Sequence, residues 1–256
     1  MKAAVLLLAL ALCGACGGAQ PAPMESKTVI DDTLKADLET LRGARVFFGH
    51  HSVGANLLEG LSSLSREAGV EVRIGEGPVG ENMKPLSKFE DFAKHAESQA
   101  SEGEQLMLMK LCFVDFKPDT DVRALVGAYA KAVERVRKAR PGVRIVHVTP
   151  PLCTRPNDLK SKLKRTMGSP IWEDQANARR SEFREQLLAR FPGEPLFDLA
   201  TFESTRPDGS REIHDVDGKP VAMLWPGYSS DGGHLNEAGQ RAGAKAFAHV
   251  LASALR

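Results

Sequence analysis

Two short stretches at opposite ends of the chain hold residues that could do covalent chemistry. The first is Asp231-Gly-Gly-His234-Leu-Asn236. An aspartate three residues before a histidine, on a loop, can turn its carboxylate back onto the imidazole. It would then fix the tautomer and stabilise the imidazolium formed during proton transfer. The same spacing also serves a plain capping loop with a hydrogen-bonded surface histidine. The second stretch is Arg45-Val-Phe-Phe-Gly-His50-His51-Ser52. A short apolar run enters a tight polar turn, and Leu57, Leu58, Leu61 and Leu64 then recur on one helical face. The order is strand, turn, helix, with Ser52 at the helix N-terminus beside unpaired N–H groups and the positive end of the helix dipole. That setting suits an N-cap. It equally suits a nucleophile whose developing oxyanion needs donors.

The elements that must position these residues follow in alternation. Helices are expected over 32–41, 89–100, 119–139, 173–191 and 237–255. Strands are expected over 70–74, 105–113, 143–148 and 195–200. The run 105–113, QLMLMKLCF, is almost continuously apolar, as in a strand covered on both faces. Residues 75–83, GEGPVGENM, form a glycine-rich loop, and 154–167 are basic and irregular, with the solvated surface as their default place. Residues 206–221 are rich in turns, with a small hairpin about Asp217-Gly218. The alternation predicts an α/β protein, a parallel sheet with helices on both faces, and a site at the carboxyl ends of its strands.

Composition narrows the function. The 256 residues are 42% hydrophobic and 26% charged with a net charge of +1, an ordinary globular balance that argues against nucleic acid as a partner. Two tryptophans and two tyrosines give little stacking surface. Met1-Lys2 and the apolar run to Leu12 read as an export signal, too short to span a bilayer. Its end, Cys13-Gly-Ala-Cys16, resembles a bacterial lipoprotein signal with Cys16 as the lipidated residue; an ordinary signal cut near Ala19 is the alternative. Residues 1–16 are thus the signal, 17–30 a flexible tether, and 31–256 one domain, a monomer whose membrane contact is the N-terminal lipid. In an oxidising compartment Cys112 and Cys153 could pair or stay as buried free thiols. His50, His51 and His214 invite a metal reading, but neighbouring histidines on an extended turn point apart and no paired metal motif is present, so no metal or cofactor is expected. Trp225 could line a pocket, with loop packing as the plainer role.

The D-x-x-H-L-N-x-x-G closing block before a terminal helix, in a chain that opens strand–turn–serine–helix, resembles the SGNH (GDSL-type) hydrolase superfamily, from about Arg45 to the end. The opening H-x-S-V-G-x-N and the block Lys110-Leu-Cys-Phe-Val-Asp115 are similar to a divergent branch of it. The resemblance implies a three-layer flavodoxin-like fold with Ser52 as nucleophile, His234 as general base and acid, and Asp231 as its orienting partner. It implies an oxyanion hole made of the Ser52 and Gly80 backbone N–H groups and the Asn82 side-chain amide. His51 replaces the usual acidic residue before the serine, and Asp115 stands where that family keeps an asparagine. A carboxylate there would repel an oxyanion unless protonated or turned away. The implied activity is ester hydrolysis on a glycan O-acyl group or a small ester. Acyl transfer by the same triad, or a silent binding protein on this fold, are the alternatives.

Overall fold

The computed structural model describes residues 30–77 and 79–256. The signal, Cys13, Cys16 and the tether through residue 29 lie outside the described residues. The chain begins with α1 (Asp32–Arg42), whose first turn is closed by the Asp31 carboxylate accepting the Leu34 N–H at 2.8 Å. β1 (Val46–Gly49), α2 (Val53–Ala68), α3 (Pro85–Glu97), β2 (Leu106–Met109) and α4 (Val122–Ala139) follow. The next elements are β3 (Arg144–Ile145), β4 (His147–Val148), α5 (Leu159–Thr166), α6 (Trp172–Arg190) and β5 (Leu196–Phe197). Then come α7 (Leu199–Ser204), β6 (Ile213–Val216), β7 (Lys219–Ala222) and α8 (Glu237–Leu255).

The architecture is α/β with parallel strands. β1, β2 and β3 pair in that order, all parallel, with Val46 opposite Leu106 and Gly49 opposite Met109. β4 and β5 form a second parallel pair, and β6–β7 is the antiparallel hairpin, turned at Asp217 and Gly218. Because strand side chains alternate, successive residues enter two different apolar clusters. Val46, Phe48, Leu106 and Leu108 join Leu57, Leu61 and Leu64 of α2 and Phe247 and Leu251 of α8. Phe47, Met107, Met109 and Ile145 join residues of α3, α4 and α6.

The α2–α8 contact holds the two ends of the chain together. Gly60 lies so near α8 that a Cβ there would sit 2.2 Å from the Gln240 carbonyl oxygen. A glycine inside a helix costs roughly 0.5–1 kcal/mol; here it permits backbone-to-backbone approach.

Three expectations change. Residues 70–74 alternate in burial, yet only Gly75 pairs, bridging to Phe47 of β1. Ser65 explains part of this: its hydroxyl takes the Val70 carbonyl and the Val72 N–H, bonds that a ladder would otherwise use. The single strand expected over 143–148 is two short pieces, because β3 pairs with β2 while β4 pairs with β5. Residues 154–167 are not irregular throughout, since Asp158 caps α5 by accepting the Ser161 N–H.

Candidate active site

Ser52 stands where β1 has ended and α2 begins. Its backbone has φ 45° and ψ −103°, and its side chain makes no capping hydrogen bond. A non-glycine residue in the left-handed region costs on the order of 1–3 kcal/mol and persists only where its surroundings over-determine it. Here they do. His51 Nε2 lies 3.0 Å from the Gly80 carbonyl oxygen and His50 Nε2 lies 2.9 Å from a Glu76 carboxylate oxygen. The Asn56 N–H closes the first helical turn on the Ser52 carbonyl at 3.1 Å. Ser52 therefore occupies the N-cap position without acting as a cap. The two histidines take different partners, and among the described residues no cluster of three or more His, Cys, Asp or Glu is arranged to hold a metal. Burial holds the His50 imidazole pKa below its ordinary value, opposed by Glu76.

His234 and Asp231 lie on the loop just before α8. His234 Nδ1 and Asp231 Oδ2 are 2.6 Å apart, while Asp231 Oδ1 accepts the N–H groups of Gly233 and His234 at 2.9 and 2.8 Å. Those backbone donors hold the Asp231 carboxyl well below the usual carboxylate range. Near neutral pH the carboxyl is therefore ionised, and a carboxylate can only accept. The proton therefore sits on Nδ1, and Nε2 carries the lone pair. The Phe113 ring meets the imidazole edge-on at a centroid distance of 5.4 Å. Phe113 is itself fixed by buried Arg180, which donates to its carbonyl at 2.7 Å.

One contact joins the two halves. The Leu235 N–H, next to His234, donates to the Asn56 side-chain oxygen at 3.1 Å. Asn56 is one helical turn beyond Ser52. In the sequence it is the asparagine that closes the H-x-S-V-G-x-N opening, a residue to which the motif alone gives no role.

The proposed oxyanion donors fare differently. The Gly80 N–H is engaged by the Asp91 carboxylate at 2.7 Å, so Gly80 is not a free donor in this structure. Its φ of +65°, and a would-be Cβ 2.5 Å from Lys88 N and the Ser87 carbonyl carbon, make it the hinge that seats the loop on α3. Asn82 accepts from Lys88 Nζ through its side-chain oxygen at 3.0 Å. Lysine can only donate, so the orientation of this amide is fixed and its NH₂ faces away from Lys88. The Asp115 carboxylate is already taken up by cationic and N–H donors. It is fully buried against Lys88 Nζ at 2.6 Å and also accepts the Met83 and Cys112 N–H groups at 2.9 and 2.7 Å. Lys88 was missed from sequence; a lysine in a weakly amphipathic segment reads as surface.

His51 and Trp225, the other candidate pocket residues, have different surroundings. His51 lines a shallow groove with Gly80, Ser87 and Asp91. Trp225 packs edge-on against Tyr228, centroids 4.8 Å apart, and shapes the loop leading to His234. Cys112 and Cys153 are free, buried thiols rather than a disulfide. The Cys112 sulfur faces Lys110 Nζ at 3.6 Å, and burial pushes the Cys153 thiol up. Glu203 is a buried carboxyl that the sequence did not announce. Glu203, with one oxygen on the Leu152 N–H at 2.5 Å and the other unpartnered, is pushed by burial up to about 8. Burial likewise lowers the pKa of Lys110.

No family model matches the chain, and no curated protein matches it. Among solved structures it is similar to "a putative platelet activating factor from Streptococcus pneumonia", at 15% identity over 84% of this chain and 89% of that one, with a TM-score of 0.50. It is also similar to the periplasmic domain of a lipopolysaccharide acetyltransferase from Salmonella ser. Paratyphi A, at 14% identity over 84% and 85%, TM-score 0.43. The likeness is one of fold.

Proposed function

We propose that this chain is an exported serine esterase of SGNH type, removing O-acyl groups from a glycan or small ester. One observation carries the reading. The His234–Asp231 pair sits on a loop bonded through Asn56 to the first turn of the helix that Ser52 opens, and Ser52 holds a strained backbone without spending its hydroxyl as a cap. The two apolar clusters also support the three-layer arrangement that such a site requires.

Ser52 Oγ attacks the ester carbonyl carbon as its proton passes to His234 Nε2, and Asp231 steadies the imidazolium through Nδ1–H. The Ser52 N–H and the Asn82 NH₂ donate to the oxyanion. Collapse returns the proton from Nε2 to the leaving alkoxide and leaves an acyl-Ser52 ester. Water, deprotonated by the same imidazole, releases the acid; a hydroxyl acceptor in its place would give acyl transfer. Residues 1–16 direct export, with Cys16 the lipidated residue.

The test is turnover of p-nitrophenyl acetate and labelling by a fluorophosphonate, beside Ser52→Ala and His234→Ala. Ser52→Ala abolishes labelling and lowers kcat on the order of 10⁴-fold or more. Labelling that survives in Ser52→Ala means a different nucleophile. A parent that neither turns over nor labels favours the silent binding reading. Asn82→Ala that keeps full kcat removes Asn82 from the oxyanion hole.

A further inference from the structure

Helix α5, LKSKLKRT, has no buried residue. Leu159, Leu163 and, just past its end, Met167 fall at i, i+4 and i+8, which is one stripe of a helix. They are 83%, 58% and 71% exposed. What fixes α5 to the protein is polar. The Arg165 guanidinium grips the Asp174 carboxylate at 2.9 and 3.2 Å and the Pro156 carbonyl at 2.8 Å. The helix is thus turned over relative to an ordinary surface helix, with its apolar stripe in water. Lys160, Lys162 and Lys164 are interleaved with that stripe.

Its place in the fold adds to this. The other large apolar side chains exposed among the described residues are Met83, Leu86, Trp172 and Ile213. Met83 and Leu86, between Gly75 and the first turn of α3, and Trp172, at the start of α6, follow the carboxyl ends of β-paired segments as α5 does, the edge that Ser52 also follows from β1, whereas Ile213 opens β6 of the hairpin. The segment entering α5 is tied directly to the His234 loop, for the Thr154 N–H donates to the Gly232 carbonyl at 2.9 Å.

We propose that this edge docks on an anionic phospholipid surface, with α5 lying in the headgroup layer. Leu159, Leu163 and Met167 enter the acyl boundary, and Lys160, Lys162 and Lys164 sit among the phosphates. The pattern of residues selects lipid over a protein partner. Lysines with long apolar stems beside a leucine stripe match a surface that is apolar below and negative at the same level. This contact is separate from any N-terminal lipid anchor and does not depend on the acyl chemistry.

The test uses the full chain carrying Trp225→Phe, which leaves Trp172 as the single tryptophan of the two present. Trp172 fluorescence is followed on vesicles of phosphatidylcholine alone and with phosphatidylglycerol, each containing brominated lipid. Quenching on the phosphatidylglycerol vesicles is expected, with little on phosphatidylcholine. Replacing Lys160, Lys162 and Lys164 by Gln weakens that response on the order of a hundredfold in lipid concentration. The Leu159→Ser, Leu163→Ser pair abolishes it while circular dichroism stays that of the parent. Membrane attachment through the N-terminal segment alone leaves Trp172 unquenched and overturns the proposal. So does quenching that is equal on both vesicle types, or self-association of the chain that Leu159→Ser, Leu163→Ser removes without any vesicle response.

Discussion

Replacing Asp231 by asparagine changes one atom in a geometry that leaves the amide no choice of orientation. Oδ1 accepts two backbone N–H groups, from Gly233 and His234, and Oδ2 meets His234 Nδ1. If the asparagine NH₂ faced the backbone pair, two hydrogen bonds of about 1 kcal/mol each would be lost. Keeping the oxygen there is favoured by about 2 kcal/mol, roughly thirtyfold in population. The NH₂ therefore donates to His234 Nδ1. That forces the hydrogen of the neutral ring onto Nε2, the nitrogen that takes the proton from Ser52 in the proposed mechanism. The expected outcome is a fall in kcat of about 10⁴-fold with little change in KM, the size that a reversed tautomer causes in a serine–histidine–aspartate site. The assay is p-nitrophenyl acetate turnover with KM and kcat separated, alongside unfolding in urea to show that the loop survives. Asp231→Asn retaining activity within tenfold of the parent would refute the tautomer argument. So would a loss confined to KM.

Three further outcomes follow from other parts of the molecule. Glu203 has an ordinary pKa of 4.5 and is held at about 8 in the fold, so the folded state binds its proton more tightly than the unfolded chain. The stability this confers is whole below about pH 4.5 and is lost as pH rises through about 8, at about 1.4 kcal/mol per pH unit. Urea unfolding of Glu203→Gln and parent should show the gap between them shift by about 3–5 kcal/mol toward the variant from acid to pH 9; a gap independent of pH contradicts the buried-acid account. Gly60→Ala should destabilise by about 1–3 kcal/mol despite its better helix propensity, since the methyl meets the Gln240 carbonyl. The same change should lower kcat by moving α2 off α8, and a thermal midpoint at or above the parent's would be the contrary result.

How much of this was readable from the chain depends on whether the signal was local. Helix α8 was expected over 237–255 and is Glu237–Leu255, because an asparagine cap and a periodic apolar face lie side by side in sequence. The turn at Ser52 was equally local. Residues 70–74 carry a strand's alternation and still fail to pair, since the competing Ser65 hydroxyl belongs to the preceding helix. Gly80 was expected as a donor from the family resemblance, which places a glycine donor in the loop after the second strand. That its N–H is already held depends on Asp91, nearly two turns inside α3, whose packing no short window shows. The buried pair of Lys88 and Asp115 was invisible for the same reason: Lys88 alone reads as surface and Asp115 as a site residue without a partner, and only the fold brings them to 2.6 Å.

The crossing of α2 and α8 makes the order of synthesis matter. Ser52 is among the first residues of the folded body and His234 among the last, with the nineteen residues of α8 still to come after it. Until those residues are present, Leu57, Leu61 and Leu64 have no opposite wall and the Asn56 oxygen lacks the Leu235 N–H. A chain cut short before residue 231 therefore lacks Asp231 and His234 altogether, and one cut anywhere before residue 237 exposes the apolar face of α2 that α8 covers.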